Sequence, residues 1–166
     1  MKNIFILLLS LILSTSLMAA GSDSSSGSSS SSSNEESLYE DAVKLVKRAG
    51  KLEKKDKTDK AKKLYAQAFD KLEKAHKTDK KNPDILNYMG FTTRKTGNFE
   101  KAEKFYLKGL SIKPNHNGIN EYLGELYVQT NRIDKANERL RVLKSCNCKE
   151  YGELELIIKT KGSKVY

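Results

Sequence analysis

Apolar positions along this chain recur with the period of a helix, and they do so in paired blocks separated by short polar breaks. Between Pro83 and Lys95, Leu86, Met89, Gly90 and Thr93 fall three and four residues apart, which puts them on one stripe of a helix. Asn82-Pro83 opens the block, because an Asn side chain can cap free backbone N–H groups and Pro at the first helical position gives up an N–H that had no partner. Lys95-Thr96-Gly97 closes it. Asn98 then caps a second block in which Phe99, Ala102, Tyr106, Gly109 and Leu110 form the inward stripe, until Pro114 stops the pattern. The prediction is two helices joined by a tight turn, each apolar on one side only.

The same pattern stands on both sides of this unit. Leu123, Gly124, Tyr127, Ile133, Ala136 and Leu140 repeat it from Asn117 onward, at a spacing of about 34 residues. Upstream, Ser37-Leu-Tyr-Glu40 reads as a capping box that starts the fold, and Leu38, Ala42, Leu45, Val46, Ala49 and Leu52 follow as a stripe. After the interruption Lys54-Lys-Asp-Lys-Thr58, Ala61, Tyr65 and Ala68 take the places of Ala102, Tyr106 and Gly109, and Ala68, Leu72 and Ala75 take them again seven residues later. The second helix of this first unit is therefore expected to be two turns longer than its counterparts, giving a unit of about 41 residues, 42–82, with either Ala49 or Gly50 in the place of Gly90. The three units are then 42–82, 83–116 and 117–148. Tyr151, Leu154, Ile157 and Ile158 form a last stripe over 149–160, expected to cap the open apolar edge of the third unit and to end at Gly162, with the tail running to 166.

This spacing resembles the tetratricopeptide repeat. Small residues at Gly90, Ala102, Gly124 and Ala136 stand where the two helices of a repeat cross, with large ones around them; Leu86 and Thr93 replace the aromatic residues usual at their positions. The resemblance implies an all-α fold, a right-handed α-solenoid of three helix-turn-helix repeats with a C-terminal capping helix. It also implies a non-catalytic adaptor that grips a peptide or protein, not a small-molecule substrate, in a concave groove lined by the first helices. The groove positions are Asp84, Asn87, Phe91, Arg94 and Lys95 in the second repeat and Gly118, Glu121, Glu125, Val128 and Gln129 in the third. Phe91 is the expected anchor, an aromatic pointing away from the helix crossing with no core duty. The family's clamp for a C-terminal carboxylate is not implied, since its later positions hold Gly118 and Tyr122. The ending Leu143 to Leu154 resembles that of small exported repeat proteins of alphaproteobacteria.

The N-terminus adds a destination. Residues 1–20 have one Lys at position 2, an apolar run from Ile4 to Leu13 and small residues at Ala19, Ala20 and Gly21, the layout of a signal peptide. The run is shorter than the ~20 residues a membrane-spanning helix needs, and no Cys follows it to carry a lipid, so an exported chain, periplasmic or secreted, is expected. Residues 21–36 contain ten Ser and no apolar side chain, and are expected to be a disordered linker.

The formal charge of +10 is uneven: residues 44–81 carry fifteen Lys or Arg against six Asp or Glu. Such a first repeat offers an alternative function, docking on anionic polymer, lipid or nucleic acid. No arrangement for nucleophilic, metal or phosphate chemistry stands out; His76 and His116 fall at a polar helix end and in a turn, and no metal site or cofactor is expected. Cys146 and Cys148 are either two small residues closing the last repeat or a Cys-x-Cys disulfide formed after export. A terminal cap argues for a monomer.

Overall fold

The computed structural model describes residues 29–163; the expected signal peptide and the first residues of the expected linker lie outside them. Each apolar stripe is a helix that stops at its breakers: α1 (Ser29–Glu53), α2 (Thr58–Thr78), α3 (Pro83–Lys95), α4 (Phe99–Ile112), α5 (Asn117–Gln129), α6 (Ile133–Leu143) and α7 (Lys149–Lys159). No strand occurs among the described residues. The caps explain the boundaries. Asn82 Oδ1 accepts from the N–H groups of Asp84 (3.0 Å) and Ile85 (3.3 Å), and Asn98 Oδ1 from that of Lys101 (3.0 Å). At α5 the cap is His116, whose Nδ1 accepts from the Ile119 N–H at 3.2 Å. The turn inside the second repeat reverses at Gly97 (φ 96°) and the turn inside the third at Asn131 (φ 57°), the two residue types that best tolerate a left-handed backbone.

Helices pair in chain order, α1 with α2, α3 with α4 and α5 with α6, while α7 lies on α5 and α6. The result is an all-α solenoid of three helix pairs and a cap. α2 has 21 residues and α4 has 14, the two-turn excess expected from the doubled stripe. Ala49 takes the place of Gly90: it is fully buried in one cluster with Ala61 and Tyr65, at the same offsets that relate Gly90 to Ala102 and Tyr106. Farther from the turn, Ala42 shares a second cluster with Ala68, Leu72 and Ala75, which Ile85 and Met89 of α3 complete. The third cluster joins Tyr106 to Ile119, Leu123 and Leu126 of α5 and to Ile157 of α7.

The small residues act through distance. A Cβ placed on Gly90 would lie 2.5 Å from Cε1 of Tyr106, a ring that is itself fully buried and has nowhere to go. Gly124 plays the same part toward a different partner. Its Cβ would meet Leu154 at 2.5 Å, so the close approach there admits the capping helix rather than α6.

Two expectations change and one alternative is decided. Helix α1 begins at Ser29, eight residues before Ser37, so residues 29–36 are helical rather than linker and Ser37 is no cap. A packed helix propagates at small cost per added residue, and Ser opposes it only weakly. Phe99 is 38% exposed instead of inward, because as the first residue of α4 it precedes the turn that reaches the crossing. Cys146 and Cys148 are joined in a disulfide with Cα atoms 5.2 Å apart, closing the turn between α6 and α7 around Asn147.

Two predictions test this packing. Gly90→Leu should lower unfolding free energy by about 3 kcal/mol through overpacking against Tyr106, whereas Gly152→Ala, where nothing lies within 4 Å of the added carbon, should raise it by roughly 0.5–1 kcal/mol; denaturant titration reads both. On the surface facing α4, His76 Nε2 accepts from Lys108 Nζ at 3.0 Å, and burial together with that ammonium holds the imidazole below its ordinary 6.5. A depressed folded value means the unfolded chain takes the proton more readily. Melting temperature should therefore fall as pH drops below 6.5, and His76→Gln should flatten that part of the slope.

Candidate binding groove

Because α2, α4 and α6 each cover one side of α1, α3 and α5, the first helices keep another face for the concave side of the solenoid. Two clefts run along it and meet at Tyr122. The first, about 720 Å³, lies over the N-terminal turns of α3 and α5 and is lined by Tyr39, Asp84, Asn87, Tyr88 and Glu121, with the first turn of α7 at its rim. The second, about 650 Å³, lies toward the C-terminal turns and is lined by Val46 and Gly50 of α1, Tyr65 of α2, and Phe91, Lys95 and Gln129. Of the positions named from the sequence, Asp84, Asn87, Gly118 and Glu121 come together in the first cleft, and Phe91, Arg94, Lys95, Glu125 and Gln129 in the second. Val128 belongs to neither. It is buried in the cluster that contains Ile157, and the chain after α7 returns over it at Gly162.

Arg94 is not a free ligand-gripping side chain. Its guanidinium pairs with Glu125 Oε2 at 2.5 Å, donates to Gln129 Oε1 at 3.2 Å, and lies over the rings of Phe91 (5.5 Å) and Tyr122 (5.8 Å). Both charged side chains are almost fully buried, and the neighbouring Glu125 carboxylate more than offsets the burial that disfavours the cation, so Arg94 holds its proton more tightly than usual. The pair ties the second repeat to the third and forms a wall of the second cleft.

Phe91 likewise has a packing duty. Its ring stands edge-on to Tyr65, with centroids 5.8 Å apart, and tilts against Tyr122 at 4.9 Å. The extra length of the first helix pair brings Tyr65 there. Lys95 Nζ reaches Glu53 Oε2 at 2.7 Å, and the Tyr65 hydroxyl donates to the same carboxylate at 2.9 Å, so Lys95 spans from α3 to the end of α1. Around the first cleft, His116 accepts the Ile119 N–H on Nδ1, which leaves the proton on Nε2 to donate to Asp84 Oδ1 at 2.9 Å. Burial, followed by nearby negative charge, pushes up the hydroxyls of Tyr39, Tyr88 and Tyr122.

The sequence reading missed Tyr39, Tyr65, Tyr88, Glu53 and the capping role of His116. One signal was present: Tyr88 and Tyr122 occupy the same repeat position in two successive units. Among the described residues, no three His, Cys, Asp or Glu side chains gather to hold a metal ion, and no helix is long and apolar enough to cross a membrane.

Comparison with known proteins agrees with this architecture. The tetratricopeptide repeat family model matches residues 86–116. Human protein O-mannosyl-transferase TMTC3 is 31% identical over 71 residues, 43% of this chain, and the chain spans 8% of that relative's length. A tetratricopeptide repeat protein from Parabacteroides merdae superposes with a TM-score of 0.51 at 18% identity, over 75% of this chain and 60% of that one. The Yersinia enterocolitica type III secretion chaperone SycD, in complex with a peptide of the translocator YopD, gives a TM-score of 0.46 at 16% identity, over 72% and 88%. With the family pattern matched on its second helix pair and the same spacing copied before and after it, this chain carries a tetratricopeptide repeat at residues 86–116 within a solenoid of like helix pairs.

Proposed function

We propose that this protein is an exported, non-catalytic adaptor of the cell envelope that holds a polypeptide segment along the face made by α1, α3 and α5. The observation that carries the reading is the pair of clefts meeting at Tyr122, where aromatic and polar side chains of the first helices are turned away from the core. Protein binding is the activity a tetratricopeptide solenoid supports through its shape, since the stacked helices give an extended concave surface. Export rests on the layout of residues 1–20.

A second reading is favoured by one observation. Lys60, Lys62, Lys63, Lys74, Lys77, Lys80 and Lys81 of the first repeat are all exposed, and an anionic polymer or lipid surface could meet them. Photo-crosslinking separates the two. With a photoreactive residue in place of Lys47 or Gln129, in the second cleft, the mature chain in envelope extract should form discrete adducts with polypeptide; with Lys62 replaced it should form none. Adducts only from Lys62 would overturn the groove and favour the basic surface.

Arg94 is unsuited to such a test. Arg94→Ala removes the guanidinium partner of a buried carboxylate and should cost ~3–5 kcal/mol, read as a lowered denaturation midpoint, before any ligand is considered.

A further inference from the structure

Resting on the groove reading above, we infer that the first cleft is a subsite for an arginine side chain of the bound polypeptide. The second cleft shows what an arginine needs in this fold. Arg94 is held there by a carboxylate from Glu125, a carboxamide oxygen from Gln129 and the ring faces of Phe91 and Tyr122. The first cleft presents the same set of groups with no arginine of the chain among its lining residues. Its accessible carboxylate comes from Asp84, its carboxamide from Asn87 and its rings from Tyr39, Tyr88 and Tyr122, with the buried Glu121 adding negative charge behind them.

The carboxamide is the strongest sign of a missing donor. Asn87 is 6% exposed, and its Oδ1 is buried without any hydrogen-bond partner among the described residues, a condition that costs free energy unless an N–H group arrives. Its Nδ2 lies where Gly118 has no side chain, 2.9 Å from the position a Cβ would take, so the amide fits only because residue 118 is glycine. Tyr39 and Tyr88 meet edge to face with centroids 5.6 Å apart. Their hydroxyls are pushed up by burial and by Asp84, and that of Tyr122 by burial and Glu121, as expected where negative potential gathers around buried oxygens.

The cations near this cleft stand at its rim. Lys113 and Lys149 are exposed there, and Lys149 pairs with Glu153 at 3.3 Å while also feeling the carboxylates of Glu121 and Glu150. His116 already donates to Asp84, as described above. A guanidinium suits Asp84, the Asn87 amide and the tyrosine rings better than an ammonium does: it is planar, offers five N–H donors in a fixed fork, and can donate to an amide oxygen and a carboxylate while stacking on tyrosine. An anionic side chain would meet Asp84, Glu121 and Glu150 instead.

The test uses the mature chain labelled with nitrogen-15 and the probe peptide acetyl-Gly-Gly-Arg-Gly-Gly-amide, beside its citrulline counterpart, which keeps the shape and loses the charge. Amide shifts should move at Asn87, Gly118 and Tyr122, and the citrulline peptide should bind about tenfold or more weakly. Asn87→Ala should weaken the arginine peptide by a similar factor. Asn87→Asp should strengthen it several-fold, a gain that damage to the fold cannot produce.

Equal binding of the two peptides, or shifts confined to the second cleft or to the lysine-rich first repeat, would overturn the inference. Should that happen while crosslinks from Lys47 and Gln129 persist, the groove reading stands and only the arginine subsite falls. Arginine-dependent shifts in the first cleft with no polypeptide crosslinked at those positions would uphold the subsite and remove the adaptor reading.

Discussion

Everything in this molecule depends on how closely α3 and α4 approach. With no side chain at Gly90, the ring of Tyr106 lies directly against the backbone of the neighbouring helix, and the larger residues around that point fill the space on either side. Ala49 with Ala61 and Tyr65 repeats the arrangement in the first helix pair. The apolar stripes are narrow, so one pair leaves much of its surface bare and gains stability only by stacking. Tyr106 shows the consequence: it packs within its own repeat against Gly90 and also belongs to the cluster that contains α5 and α7. Gly124 carries the stacking one step further by admitting Leu154, so the last repeat is closed by the same device that brings α3 and α4 together.

A second constraint acts between repeats and is electrostatic. Burying Arg94 and Glu125 carries a large desolvation cost, and their attraction with its accompanying hydrogen bond offsets that cost without adding much net stability. The consequence is geometric. A guanidinium held by Glu125, Gln129 and two aromatic faces admits one relative placement of α3 and α5, and that placement sets the width of both clefts at Tyr122.

The helix pairs, the boundaries set by Asn82, Gly97 and Asn98 and the two extra turns of α2 were legible in the sequence because each is written in spacings of three, four or seven residues and in caps a few residues away, whereas the start of α1 at Ser29 was not. The register of the first repeat stayed open in the sequence between Ala49 and Gly50, and the burial of Ala49 with Ala61 and Tyr65 decides it. The groove was legible only as a set of positions. Which side chains face outward is periodic, but what they meet there is not: Arg94 finds its partner Glu125 in the next repeat, and Phe91 is flanked by Tyr65 and Tyr122 from two different helix pairs. Val128 stands at an outward position and is buried by the return of the chain at Gly162, an event beyond the last repeat. Phe99 failed for the opposite reason, since periodicity assigns a face to a residue without saying whether the helix end extends past its partner.

The irregular first repeat is what makes the concave face asymmetric. Residues Leu38 and Tyr39 precede the repeat proper, and they pack because the lengthened α2 continues alongside them with Leu72 and Ala75. That support places Tyr39 against Tyr88 and closes one side of the first cleft, which a standard-length pair would leave open. At the other end of α1, Glu53 holds both Lys95 and the Tyr65 hydroxyl and closes the second cleft. The two clefts thus differ in kind although the same three helices build them. One already contains the chain's own arginine, fixed by carboxylate, amide and ring, while the other offers those groups around an amide oxygen that no described residue satisfies. A departure from the regular repeat length, confined to one helix pair, therefore reaches the groove as a difference in chemistry between its two halves.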